Sequence, residues 1–231
     1  MFKKEIIWRE ILTRAIEKKQ FEFTQSELAR KYGFSLSTVF NALKIPRAQG
    51  AIKVAGKNFS VVDVEKLLYI WATQRNLAHE LVYQTAASKS AKEIEGLMPA
   101  GIIYGAYSAY SQKYSEAPAD YDKVYVYAGG EELTEIKKRF PQAKGKENVF
   151  VLKKDLFTPL EKATNSVGDK DIEIADGSMT RLSSRREASV LMGFTEPNRR
   201  VTADAQTFVD LWNLSDWYAK DFLEKLKEKI L

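Results

Sequence analysis

Short polar side chains and cations are concentrated in residues 35–57, where they could hydrogen-bond to base edges and neutralise phosphates. Hydroxyl groups can bond to bases or to phosphate oxygens, and asparagine can bond to adenine through two hydrogen bonds. Lysine and arginine supply the positive charge that phosphates attract. The candidate residues of this kind are Ser35, Ser37, Thr38, Asn41, Lys44, Arg47, Lys53 and Lys57. They can act together only if the fold presents them on one surface.

The stretch QSELARKYGFSLSTVFNAL, residues 25–43, predicts two short helices joined by a tight turn. Thr24 followed by Glu27 is typical of a helix start. Gly33 suits the positive φ at which such a helix ends. Ser35 or Leu36 would begin the second helix. The residues expected to bury that helix are Val39, Ala42 and Leu43, which leaves its polar side chains facing outward.

A two-stranded ribbon is predicted directly after the second helix. Ile52 and Val54 alternate with Lys53, AGKN is a turn signal, and FSVV is typical of a returning strand. Upstream, Ile7 and Ile11 share a helical spacing with Ala15. Three helices followed by a ribbon indicate a winged helix-turn-helix domain over residues 1–78. The alternative is a helical hairpin inside an ordinary bundle.

The segment SELARKYGFSLSTVFNAL resembles the broad winged helix-turn-helix family of prokaryotic DNA-binding proteins. The resemblance implies that Ser35, Ser37, Thr38 and Asn41 contact or position double-stranded DNA. It does not imply which DNA sequence is bound.

Residues 79–231 predict a second, α/β domain, so the expected fold class is α+β. A strand is expected at Leu81–Thr85, followed by a short helix that ends near Gly96. GIIYGAYSAYSQKY is typical of a helix packed tightly against a sheet. DKVYVYAG and ENVFVLKK predict strands, with the helix EELTEIKKRF between them, and TFVDLWNLSDWYAKDFLEKLKEKIL predicts terminal helices.

The order of these segments also resembles the AbiEi family, the antitoxin and regulator components of type IV toxin–antitoxin systems of abortive infection. The resemblance rests on the winged helix, IIYGAYSAY, DKVYVYA and above all VDLWNL…WYAKDFL near the C-terminus. It implies binding to operator DNA, repression of the protein's own promoter, and a cognate toxin that resembles nucleotidyltransferases.

Nucleotidyl transfer is the enzymatic alternative, because two carboxylates one residue apart on a strand can hold Mg²⁺. Gly105-Ala106 stands where such enzymes have Gly-Ser, and Asp120 and Asp122 are the two carboxylates. Ala106 lacks the serine hydroxyl, and Pro118 favours a solvated loop over a strand. We therefore expect a degenerate nucleotidyltransferase-like fold and no enzyme activity. A protein-interaction module without DNA binding is the other alternative.

Composition narrows the function classes. The 231 residues include no cysteine and one histidine, His79, so neither a metal cofactor nor a disulfide is expected. No apolar run approaches the ~20 residues that span a bilayer, and a cytoplasmic protein without membrane contact is expected. A formal net charge of +5 permits nucleic-acid binding. Arg181, Arg185 and Arg186 suggest a second phosphate-binding patch, with a solvated helix start as the alternative.

Overall fold

The computed structural model describes residues 1–155, 161–162 and 200–231, and it confirms the α+β class. A 3-10 turn forms at Leu77–Glu80. The helices are α1 (Lys3–Glu17), α2 (Gln25–Tyr32), α3 (Leu36–Ala48), α4 (Val64–Gln74), α5 (Ala91–Gly96), α6 (Ala106–Tyr114), α7 (Gly130–Arg139), α8 (Asp204–Trp212) and α9 (Ala219–Ile230).

Two sheets organise the described part of the chain. The first is antiparallel, with strand order β1-β3-β2, and the second is mixed, with order β4-β7-β6-β5-β9-β8. In the second sheet β6 pairs parallel with β7 and β5 pairs parallel with β9. The strands are β1 (Glu22–Thr24), β2 (Ile52–Ala55), β3 (Asn58–Val61), β4 (Leu81–Thr85), β5 (Ile103–Gly105), β6 (Val124–Ala128), β7 (Val149–Lys153), β8 (Glu161–Lys162) and β9 (Arg200–Val201).

Helix α1 is the central element of the core. Eleven of its 15 residues are buried, on all sides of the helix. A helix buried all round needs neighbours on every side, and α1 packs against α3, α4 and α8. One hydrophobic cluster therefore runs from Ile7 and Trp71 in the N-terminal part to Tyr107 and Phe208 in the C-terminal part. The two predicted domains share this core.

The contact between α1 and α3 depends on a proline. Pro46 lies inside α3 and has no N–H with which to bond the carbonyl of Ala42, four residues earlier. That carbonyl accepts a hydrogen bond from the indole Nε1 of Trp8 instead, at 2.8 Å and fully buried. The proline thus frees an acceptor that fixes α3 to the central helix.

Buried charges join α1 and α4 to the second half of the chain. Both Nη atoms of Arg9 donate to the carboxylate of Asp155, at 3.0 and 3.1 Å, and Nη1 also donates to Gln206 Oε1 at 3.0 Å. Arg75 donates to Asp210 at 3.3 Å and to the hydroxyl of Tyr127 at 3.0 Å. A buried charge needs such partners, because leaving it unpaired is strongly destabilising.

Tyr127 completes the second of these networks. Burial raises the pKa of Tyr127 well above its ordinary value, and the Asp210 carboxylate raises it further. The hydroxyl therefore stays protonated and donates to Asp210 Oδ2 at 2.5 Å. The same ring packs against Gly105, where a Cβ atom would lie 3.0 Å from it. A side chain at position 105 would therefore crowd the Tyr127 ring.

Several sequence predictions are confirmed and others need correction. The strand at Leu81–Thr85 and the helix that ends at Gly96 lie where they were expected. The segment GIIYGAYSAYSQKY is not helical throughout, because Ile103–Gly105 forms β5 between β6 and β9. Strand β1 was not predicted. No helix in the described residues combines the length and apolar character needed to cross a bilayer.

The Trp8–Ala42 hydrogen bond can be tested with a double-mutant cycle. Trp8→Phe leaves the buried Ala42 carbonyl without a donor, which costs about 1–3 kcal/mol in addition to the reduced packing. In a Pro46→Ala background the new N–H can bond that carbonyl, so Trp8→Phe should then cost about 1 kcal/mol less. Urea unfolding of the four proteins measures the difference. Equal costs in both backgrounds would show that the indole bond does not matter.

Candidate nucleic-acid interface

Helix α3 presents most of the predicted residues to solvent. Val39, Ala42, Leu43 and Pro46 form its buried side. Thr38 is half-buried. The exposed members of the predicted set are Ser35, Ser37, Asn41, Lys44, Arg47, Lys53 and Lys57. The structure therefore places the exposed predicted residues on the polar side of α3 and on the neighbouring strands β2 and β3 with their turn.

Local capping sets where α3 begins. Ser35 is its N-cap, and the Ser35 Oγ accepts a hydrogen bond from the backbone N–H of Thr38 at 3.2 Å. The hydroxyls of Ser37 and Thr38 each lie 2.9 Å from the same oxygen. This capping role accounts for Ser35 whether or not DNA is bound.

The turn between α2 and α3 is also fixed by local residues. Thr24 caps α2 by accepting a hydrogen bond from the Glu27 N–H at 3.1 Å. Gly33 ends the helix with φ of 63°. In the same turn the N–H of Phe34 donates to the carbonyl of Ala29 at 2.9 Å. The predicted helix start and the predicted glycine turn are confirmed.

Glu10 of α1 holds α2 in place. Its carboxylate accepts from the Tyr32 hydroxyl at 2.5 Å and from Arg14 Nε at 2.5 Å, and it also pairs with Lys31. Burial raises the pKa of Glu10, but the bonds from Lys31 and Tyr32 and the nearby positive charges outweigh it. The pKa of Glu10 therefore lies below its ordinary value of 4.5.

The two strands β2 and β3 form an exposed ribbon. Lys53 pairs across it with Ser60, and the turn contains Gly56, with φ of 61°, and Lys57. The burial pattern places Lys53 on the opposite side of the ribbon from Ile52 and Val54. Lys57, at the tip, is exposed. Strand β1 pairs with β3 up to Asn58, next to the turn, and its Phe23 stacks on Phe59 with ring centroids 5.5 Å apart.

The segment that forms α3 and the ribbon carries charged side chains of one sign. Residues 28–62 contain six lysines and arginines and no aspartate or glutamate, although the whole chain has a net charge of only +5. In the described part of the chain, no carboxylate forms an ion pair with Lys44, Arg47, Lys53 or Lys57. Positive charge without internal neutralisation attracts polyanions.

Apolar residues also lie on this surface; Phe40 was expected to face away from the core, and it does. Leu36 and Phe40 are 55% and 47% exposed, one helical turn apart. Phe40 lines a shallow groove of about 40 Å³ together with residues of α3, β2 and the start of α2. The groove is completed by Gln25, Leu43, Lys44, Arg47 and Val54. The sequence signal was the i, i+4 spacing of two large apolar residues among polar ones.

The candidate residues for nucleotidyl transfer do not form a metal site. Asp120 and Asp122 lie in the loop before β6, and both are exposed. Asp122 pairs with Lys146 at 2.7 Å and accepts from the Tyr218 hydroxyl at 2.6 Å. Across the described ranges, no cluster of three His, Asp or Glu side chains could hold a metal. Arg181, Arg185 and Arg186 lie outside the described residues.

No protein-family model, curated protein or solved structure matches this chain.

The anchoring role of Glu10 predicts a pH dependence. A carboxylate whose pKa is lowered on folding stabilises the fold above its unfolded pKa, and this contribution disappears as the pH falls through the folded pKa. Glu10→Gln should cost about 1–3 kcal/mol of unfolding free energy at neutral pH. The difference from wild type should shrink as the pH falls below the ordinary value of 4.5 and through the lowered pKa of Glu10.

Urea unfolding at a series of pH values provides the measurement. Glu22→Gln, at an exposed position on β1, is the matched control and should follow the wild-type curve. A constant gap between Glu10→Gln and wild type across the acid range would contradict the assignment.

Proposed function

We propose that this protein binds double-stranded DNA as a winged helix-turn-helix protein, with α3 in the major groove and the β2–β3 ribbon along the phosphate backbone. The observation that carries the proposal is the exposed polar side of α3, surrounded by four cations without carboxylate partners in the described residues. The N-terminal part of such a helix approaches base edges. Its first turns here carry Ser37 and Asn41.

We propose different roles for the candidate residues. Asn41 is exposed on the middle of α3, where its amide could bond to adenine through two hydrogen bonds. Lys44 and Arg47 lie further along the same helix and would reach phosphates that flank the groove. Lys57, at the ribbon tip, would contact the backbone beyond it. Ser35 would act through the helix start that it caps.

We further propose that the protein is a transcriptional autorepressor and the antitoxin of a type IV toxin–antitoxin system. The support is the resemblance of VDLWNL…WYAKDFL, now located in α8 and α9, to the AbiEi family. Residues 79–231 would then form the degenerate nucleotidyltransferase-like part. The loop position of Asp120 and Asp122 argues against an enzymatic role.

Binding to the DNA upstream of the protein's own gene is the direct test of this function. Fluorescence anisotropy should show tighter binding to that duplex than to a scrambled duplex of the same length and composition. A reporter driven by the same DNA should be repressed by the protein. Equal affinity for both duplexes, without repression, would remove the regulator function.

Asn41→Ala tests base recognition. Because a base contact carries discrimination, we expect binding to the specific duplex to weaken by about 1–3 kcal/mol while affinity for random DNA stays nearly unchanged. Gln49→Ala is a matched control, since Gln49 is exposed at the far end of α3. Equal reductions on specific and random duplexes would assign Asn41 to the DNA backbone or to no role in binding.

The ribbon is tested through the salt dependence of binding. Phosphate binding releases condensed counterions, so removing one lysine–phosphate interaction should lower the slope of log K against log salt by about 1. Lys53→Ala/Lys57→Ala should flatten that slope by up to about 2 and weaken binding to all duplexes alike. The two single variants separate the contribution of Lys57, at the tip, to this slope from that of Lys53, on the outer side of the ribbon. An unchanged slope in the folded double variant would mean that the ribbon does not touch DNA.

A further inference from the structure

Leu36 and Phe40 form an apolar pair on the outer side of α3 that the fold itself does not use. The core side of the helix is complete without them, since Val39, Ala42 and Leu43 fill it. Leu36 is 55% exposed and Phe40 is 47% exposed. Removing large apolar side chains from water lowers the free energy of the system. Their position on the helix that also carries Ser37 and Asn41 suggests that a ligand covers them.

The surroundings of the pair define the chemistry of that ligand. Lys44, Arg47, Lys53 and Lys57 lack carboxylate partners in the described residues, so the partner is polyanionic. It must also offer apolar groups at the depth that an α-helix reaches. The major groove of B-form DNA admits a helix and presents the C5-methyl group of thymine. Double-stranded RNA has a major groove too narrow for side chains to enter.

The ring of Phe40 contacts a cation and borders the groove on this surface. The Nζ atom of Lys44 lies 5.5 Å from its centroid, a distance typical of a cation–π contact. The ring also borders the groove that Leu43, Arg47 and Val54 line. The ring is therefore flanked by cations that would lie against phosphates.

We propose that Leu36 and Phe40 contact thymine methyl groups in the major groove, so that the bound sequence has thymines beside the base contacted by Asn41. This inference rests on the proposed DNA binding and deepens it. Removing the C5-methyl groups from the DNA should remove the apolar contact and leave the phosphate contacts and the Watson–Crick pairing unchanged.

The test uses the full chain and a duplex selected from a randomised library. The selected duplex is amplified once with thymidine and once with deoxyuridine, which lacks the methyl group. Wild-type protein should bind the deoxyuridine duplex about 4-fold more weakly for each thymine methyl group that it buries. Leu36→Ala and Phe40→Ala should bind the thymidine duplex more weakly than wild type and should each show a smaller difference between the two duplexes.

One conservative variant and one control variant complete the test. Phe40→Leu retains an apolar contact and should keep more of the sensitivity than Phe40→Ala. Val82→Ala, at a residue 42% exposed on β4, is the control and should keep all of it. Circular dichroism confirms that each variant is folded.

The outcomes separate this inference from the function on which it rests. Equal wild-type binding to both duplexes, with normal salt dependence, would overturn the thymine contact and leave DNA binding intact. Full sensitivity in Leu36→Ala and Phe40→Ala would show that DNA shape, and not these side chains, causes it. If the library yields no bound duplex even at low salt, both the inference and the proposed DNA binding fail.

Discussion

The burial of α1 on all sides is the constraint on which the other elements depend. Three polar groups that this helix carries into the core each fix a different neighbour. The indole of Trp8 holds α3 through the Ala42 carbonyl, Glu10 holds α2 through Lys31 and Tyr32, and Arg9 holds the C-terminal part through Asp155 and Gln206. These buried contacts of α1 fix the positions of α2 and α3, and they thereby leave the polar side of α3 facing outward.

The distribution of charge leaves the cations of α3 and the ribbon available to a ligand. Inside the fold, carboxylates and cations satisfy one another, as Asp210 and Arg75 do next to Tyr127. Outside, Lys44, Arg47, Lys53 and Lys57 are exposed, and none of them pairs with a carboxylate of the described residues. A modest net charge is thus compatible with a strongly basic local surface. This separation of paired and unpaired charge, rather than the total charge, favours a polyanionic partner.

Local signals in the sequence were sufficient for the α2–turn–α3 segment, because Thr24, Gly33 and Ser35 act on their immediate neighbours. Helix α3 continues beyond the predicted stretch of residues 25–43 and through Pro46, although a proline usually ends a helix. Here the distant Trp8 bonds the carbonyl that the proline leaves without a donor. The short strands β1 and β5 escaped prediction because their stability comes from pairing with distant strands. The outward position of Phe40 followed from the helical spacing, whereas the exposure of Leu36 became evident only once the core side of α3 was known.

The central claim is that α3 and the ribbon form the surface that meets DNA. The most direct measurement is a map of backbone amide chemical shifts in the 26.3 kDa chain during titration with the selected duplex. The account predicts that the largest changes fall within residues 35–62, on α3 and the ribbon. Changes confined to another surface, such as β4 or α9, with residues 35–62 unaffected, would contradict it.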